Sequence, residues 1–378
     1  MLDALKANYR KLKENNAFGI LLHPGIVANL LLFHEEQRMR PVVMRSRAIG
    51  IEIELTNRCN LACIQCLRSR GGRRYGLGEM DFEVYQRVLS QFPFAINLSL
   101  NGFGEALLYR RFFDVVAYSR RRLPWAKIGI YSNGLLIDEA RAERLPGSGL
   151  TELNVSIDAA TAETYARVRR GGQLRSVHDG IRRLVRARQG ARSHLPMIGM
   201  NFVMLNENEG ELVRFVEQAA ELGVDFINTV SYATYDWGLE NERSPSSYQR
   251  ELDAARERAR TLGVRCKTFP SGNMAWSSPQ KPFGCSFFWG DNVRVTYDGY
   301  VTLGCCTPFK EMYSYGNVLD TPFEQIWNGE AYRRNRAMTK EHRPPNETCA
   351  SCDRFSKGFF DRAREEAGGA PGSLKATP

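Results

Sequence analysis

The stretch "EIELTNRCNLACIQCLRSRG", residues 52–71, runs from an alternating apolar pattern straight into three cysteines, Cys59, Cys63 and Cys66. Its reading depends on what surrounds it. From Ile51 to about Tyr232 a short β-rich run, a polar loop and a segment of helical period follow one another repeatedly. The strand candidates are "IEIEL" (51–55), "INLSL" (ending at Leu100), "KIGIYS" (127–132), "ELNVSI" (152–157), "IGMNFVM" (198–204) and "VDFINTV" (224–230). Amphipathic helices are predicted between them, as at 81–91, 111–121, 176–188 and 209–222. Six strands alternating with helices predict an α/β fold, a partial (β/α)6 TIM-like barrel with right-handed crossovers and its chemistry at the strands' C-terminal ends. The cysteine triplet follows strand one, at such an end.

Three thiolates from one short loop can hold three corners of a 4Fe-4S cluster and leave the fourth iron open to a substrate. The rival is zinc: Cys63-x2-Cys66 and Cys349-x2-Cys352 together make a four-cysteine set, which would leave Cys59 spare.

After Tyr232 the rhythm stops. A charged helix at 246–263 leads to a Pro/Ser/Gly-containing stretch at 270–282, and "VRVTYDGYVTLGCC" (293–306) reads as a hairpin about Asp298-Gly299. The expected domains are an N-terminal helical extension (1–48), the barrel (49–235), a connecting helix and linker (236–282), a cysteine-rich domain (283–362) and a disordered tail (363–378). Cys285, the pair Cys305-Cys306, Cys349 and Cys352 mark the fourth of these.

At 378 residues and 43% hydrophobic the chain can bury a large core. Its nine cysteines stand in short-spaced groups, which favours metal ligation in a reducing cytoplasm over a secreted disulfide scaffold. The N-terminus lacks the pattern of a signal peptide. "AFGILLHPGIVANLLLF" (17–33), interrupted by His23, Pro24, Gly25 and Asn29, reads as a helical hairpin packed on the body, with weak membrane-surface contact as the lesser option. The net charge of +10 is spread along the chain; it suits an acidic partner and gives no concentrated nucleic-acid patch.

The stretch "CNLACIQC" resembles the C-x3-C-x2-C signature of the radical S-adenosylmethionine (radical SAM) superfamily, and similar segments continue along about 300 residues. "NGFGEALL" (101–108) is similar to that family's glycine-glutamate motif, "YSNG" (131–134) to its third strand end, and "NVSIDAATAETYARVRRGG" (154–172) to its fourth strand and helix. The resemblance implies a radical SAM barrel in which Cys59, Cys63 and Cys66 hold a SAM-binding 4Fe-4S cluster. It implies Gly102, Gly104 and Glu105 at the methionine part of SAM, with Ser132 and Asn133 beside them, Ser156 near the ribose and Arg169 near the SAM carboxylate. Asn206 is a softer candidate for the adenosine end. Gln65 departs from the family, which usually places an aromatic residue before the third cysteine. The C-terminal part resembles a SPASM or twitch-type extension, which implies a second, auxiliary 4Fe-4S cluster on Cys285, Cys305 or Cys306 (Cys305 preferred), Cys349 and Cys352.

The chemistry implied is one-electron cleavage of SAM to a 5'-deoxyadenosyl radical that takes a hydrogen atom from the substrate, with electrons from a flavodoxin- or ferredoxin-type donor. Cys266 is an unassigned thiol that could return a hydrogen atom, as epimerisation needs; dehydrogenation would need an electron acceptor instead. Few residues precede strand one, so the expected substrate is a small or carbohydrate-like molecule. The alternative is a peptide, as in peptide- or protein-maturing relatives. A more distant alternative is a zinc-stabilised nucleic-acid or partner-binding protein, although no nucleic-acid partner is expected.

Overall fold

The computed structural model describes residues 17–70, 76–231, 245–268, 287–290, 293–303, 313–341, 343–345 and 349; the predicted tail and the 270–282 stretch lie outside these. Strand β1 (Gly50–Ile53) shows how the sheet is built. Side chains alternate across a strand, so Ile51 and Ile53 enter the hydrophobic core while Glu52 and Glu54 turn to the opposite face. The division recurs in β2 (Asn97–Ser99), β3 (Lys127–Ser132), β4 (Glu152–Ser156), β5 (Met197–Met204) and β6 (Phe226–Ser231). Leu98, Ile130, Leu153, Val155, Met200 and Phe202 pack under the helices. On the other face Asn228 donates to Asn154 at 3.0 Å and Asn201 at 2.8 Å, so the sheet encloses a polar lumen.

The six strands pair in parallel in chain order. Between them run the helices Phe82–Ser90, Phe112–Arg122, Leu174–Gly190 and Leu212–Leu222, among others. In the last of these Leu212, Phe215, Val216, Ala219 and Leu222 form the buried stripe, each large side chain contributing ~1.5–3 kcal/mol, and Gly223 ends it in the left-handed region.

The alternation goes one unit further than the sequence pattern shows. The segment expected to be a connecting helix and linker supplies helix Pro245–Leu262, packed on Leu212–Leu222, and β7 (Arg265–Thr268), parallel to β6. "RCKT" has no apolar periodicity to reveal a strand. The predicted hairpin is present as β8 (Val293–Val295) and β9 (Tyr300–Leu303), with Gly299 at φ +90° in its turn. It continues the barrel sheet: β8 pairs in parallel with the second edge of β1, and β10 (Gly316–Asn317) adds antiparallel to β9. Among the described residues the strands form one ten-stranded sheet whose edge strands are β7 and β10.

Two helices, Ala17–Leu21 and Pro24–Met39, occupy the segment read as a hairpin, and no described helix is long and apolar enough to cross a membrane. The chain that follows is gripped by the C-terminal segment. Trp289 donates to Pro41 O at 2.9 Å, Trp327 to Ser46 O at 3.1 Å, and the Asn328 amide pairs with both backbone groups of Met44. Arg336, fully buried, donates to Phe288 O at 2.7 Å and Val42 O at 3.2 Å beneath the Trp327 ring.

Buried Glu36 accepts the backbone N–H groups of Arg45 and Ser46, each at 2.9 Å. Burial works against its charge, but donors from Ser46 and Arg45 hold its carboxyl below the ordinary glutamate value. A depressed folded pKa stabilises above the unfolded value and loses that stability as pH falls through the folded one. Glu36→Gln is therefore expected to lower the melting temperature at pH 7 and to bring its acid melting curve closer to wild type below pH 4; parallel curves at all pH values would refute this.

Candidate functional site

The loop leaving β1 is strapped on two sides. Asn57 donates to Gly76 O at 2.6 Å and accepts from Gly78 N at 2.8 Å; Ala62 N and Ile64 N donate to Arg170 O and Val168 O, at the end of helix Ala162–Val168. This fixes the loop that carries Cys59, Cys63 and Cys66. Cys63 is buried, the other two are half-buried, and all three are free thiols. Burial pushes the Cys59 and Cys63 thiols above their ordinary value, so forming their thiolates calls for a cationic partner. Among the described residues no three His, Cys, Asp or Glu side chains converge as a single-ion site would require. A cubane binds its thiolates on separate irons.

Against this loop lies the glycine segment. A Cβ on Gly104 would sit 2.2 Å from Thr56 O and 2.6 Å from Arg58 O, and Glu105 N donates to Arg58 O at 2.8 Å. Only glycine allows two backbones this close. Glu105, expected at the methionine part of SAM, is 2% exposed. Its carboxylate accepts from Ser132 Oγ at 2.8 Å, Asn133 N at 2.7 Å and Leu107 N at 3.2 Å, so it ties the segment to the end of β3 and keeps only part of its acceptor capacity. Burial raises its pKa against these donors. Asn133 also reaches the cysteine loop, donating to Asn60 Oδ1 at 2.7 Å.

Ser156 ends β4 on the lumen face, paired in register with Asn201. Two residues on, Asp158 adopts φ +59° and is wholly buried. It accepts from Val203 N at 2.8 Å and Gln65 Nε2 at 2.6 Å and pairs with Arg169, whose Nη1 lies 3.6 Å from Cys63 Sγ. Burial opposes the Arg169 charge, but Asp158 and Cys63 hold its pKa well above the ordinary value. Gln65 thus serves Asp158. Around the loop Gln65 Oε1, Arg68 Nε, Ser69 Oγ, Tyr165 OH and Arg169 Nε are buried with no hydrogen-bond partner. Buried polar atoms are rarely left so, and this set next to three free thiols fits a bound polar, charged group.

Two expected residues lie elsewhere. Cys266 pairs in register with Ile227, near the start of β6. Its neighbour Lys267 turns into the lumen to meet Glu152 at 2.5 Å, beside a cavity of about 450 Å³ ringed by the first residues of β1 to β4. Strand alternation sends Cys266 outward, toward Arg256 of the covering helix. It sits at the end of the barrel away from the cysteine loop and is not placed to return a hydrogen atom there. Asn206 is exposed on a short turn. Buried Asn208 instead holds Asp158 O at 2.9 Å and Val203 O at 2.7 Å. Cys349 is buried near Tyr315, and Cys285, Cys305, Cys306 and Cys352 lie outside the described residues.

Sequence reasoning missed Asp158, Asn208, Glu54 and Arg294. Asp158 lay within a quoted motif, and acidic residues alternating with isoleucine in β1 were a legible sign of a charged lumen.

Comparison with known proteins bears on this arrangement. Residues 53–219 match the family model of the Radical SAM superfamily, and residues 285–353 match that of an iron-sulfur cluster-binding domain, SPASM. The PqqA peptide cyclase of Gluconobacter oxydans is 28% identical over 332 residues, covering 84% of this chain and 86% of that protein. The tungsten-containing aldehyde ferredoxin oxidoreductase cofactor-modifying protein of Pyrococcus furiosus is 24% identical over 322 residues, covering 79% and 86%. In fold, the chain matches Streptococcus suis SuiB bound to precursor peptide SuiA, with TM-score 0.64 at 13% identity, covering 85% of this chain and 73% of that one.

Proposed function

We propose that this chain, which belongs to the radical SAM superfamily and carries a C-terminal SPASM domain, is an enzyme that modifies a peptide. The carrying observation is the similarity to PqqA peptide cyclase along nearly the whole of both chains. It displaces the small-molecule expectation, which leaned on the short stretch before β1. The cluster of Asn154, Asn201 and Asn228 amides in the lumen, and a fold shared with a structure that holds a precursor peptide, support the same reading.

The cofactors are SAM, its 4Fe-4S cluster and auxiliary iron-sulfur. When bound, they supply a 5'-deoxyadenosyl radical able to remove a hydrogen atom from carbon. We assign Cys59, Cys63 and Cys66 to the SAM cluster. Gly102, Gly104, Glu105, Ser132 and Asn133 are assigned to the amino-acid end of SAM, and Ser156 to its ribose. Arg169 has two nitrogens committed to Asp158 and Cys63 and its Nε buried without a partner, a donor suited to the SAM carboxylate. Cys285, Cys305, Cys349 and Cys352 are assigned to auxiliary iron-sulfur. The basic surface suits an acidic flavodoxin- or ferredoxin-type reductant in the cytoplasm.

The test is anaerobic turnover of reconstituted enzyme with SAM and reductant, offered either a pooled library of synthetic peptides or a panel of sugars and aminocyclitols. Peptide-dependent 5'-deoxyadenosine is expected, with a peptide product two hydrogens lighter if a bond or double bond forms. Turnover with the carbohydrates alone would overturn the proposal.

A further inference from the structure

Arg294 of β8 is 4% exposed, a charge buried far from bulk water. It reaches from the C-terminal hairpin to the lumen face of β1, where Nη1 lies 3.0 Å from Glu52 Oε1 and Nη2 lies 3.0 Å from Glu54 Oε1. Its guanidinium also covers the Phe103 ring, 4.7 Å from the centroid. Glu54 has partners of its own. Oε1 accepts the Phe103 backbone N–H at 2.9 Å, Oε2 accepts the Tyr297 N–H at 3.4 Å, and its side chain fills the space a Cβ on Gly102 would need, 2.3 Å away. The segment 102–105 is thereby held at three places: on the cysteine-loop backbone through Gly104, on β3 through Glu105, and on Glu54 through Phe103.

A buried guanidinium between two carboxylates is poor value as a source of stability, because desolvation cancels most of the attraction and well-packed apolar residues serve as well. What it does provide is direction. A planar fork engaging both carboxylates fixes where Glu54 Oε1 sits, and with it the Phe103 amide. We propose that Arg294 is a positioning residue: from the SPASM side of the sheet it sets, through Glu54, the glycine segment that receives the amino-acid end of SAM. The C-terminal segment thus takes part in SAM binding without touching SAM. The proposal rests on the assignment of segment 102–105 to SAM.

The test uses reconstituted holoenzyme of the full chain carrying Arg294→Met, Arg294→Lys, Glu54→Gln or Gly104→Ala. Two quantities are read: amide hydrogen exchange across 101–108 without SAM, and the SAM dissociation constant from the change SAM causes in the spectrum of the reduced cluster. Arg294→Met is expected to speed exchange at 102–105 at least about tenfold, leave β3 and β4 unchanged, and weaken SAM about tenfold at unchanged iron content. Arg294→Lys, with charge but no fork, should fall between Met and wild type, and Arg294→Met combined with Glu54→Gln should be no worse than the poorer single variant. Wild-type exchange and SAM affinity in Arg294→Met would overturn the proposal. Should that variant lose iron or fail to fold, the same two readings on Arg294→Lys decide the matter, and wild-type values there overturn it. Gly104→Ala separates the two layers. If it leaves SAM binding intact, the assignment of the segment has failed; if it weakens SAM while Arg294→Met does not, only the role of Arg294 has.

Discussion

Alanine at position 63 is expected to leave a folded chain that holds about four fewer irons than wild type and forms 5'-deoxyadenosine at least about a thousandfold more slowly. Cys63 is the buried member of the triplet, and the chain around it is fixed by the Ile64 N to Val168 O bond and by Arg169 beside its sulfur. A neighbouring cysteine cannot take its place without breaking those straps. The fold should survive, because the sulfur contributes little packing and its loop is anchored by backbone bonds on either side. Iron and sulfide analysis, circular dichroism and nucleoside chromatography measure the three quantities. Cys349→Ala provides the contrast: it should lower total iron and leave the spectrum of the SAM-binding cluster intact. Full iron content and undiminished SAM cleavage in Cys63→Ala would remove the basis of the whole functional assignment.

Gly104→Ala is the second large effect. The new methyl would lie 2.2 Å from one carbonyl oxygen and 2.6 Å from another, both backbone, so neither can rotate away. One of the two loops must move by something near 1 Å, and a shift of that size at a reacting centre costs about 100-fold. SAM turnover is expected to fall by about that factor, with a stability loss of ~1–3 kcal/mol from overpacking. Gly190→Ala is the control. It ends a helix with nothing within 4 Å of the added carbon, and should be neutral or slightly stabilising. Steady-state kinetics with thermal melting distinguishes them; equal effects would mean the close approach of the two loops has no functional weight.

The parts legible in the sequence are those where one residue type has one use at one place. β1 to β6 were readable because a parallel strand packed under helices must alternate or run apolar, and each segment did. The cysteine loop was readable because its thiols are adjacent in sequence. β7 was not, since Arg265, Cys266 and Lys267 show no apolar period, and the strand is held by its backbone pairing with β6 and by Lys267 meeting Glu152 across the lumen. The position of Cys266 could not be read either, because strand register decides which face a side chain takes and composition does not. Asp158 escaped for another reason: its worth comes from Arg169, Gln65 and Val203, which lie elsewhere in the chain and meet only in the fold. The pair of Glu54, just after β1, and Arg294 of β8 is the same case at greater separation.

That separation governs how the molecule comes into being. β1 gains its second neighbour only from β8, more than half the chain later, so during synthesis the outer edge of β1 stays bare until the C-terminal hairpin leaves the ribosome. Pairings across such spans form slowly and expose the nascent chain to wrong partners. Until then the sheet is incomplete, and iron delivered before the last segment arrives would meet a site whose framework is still one wall short.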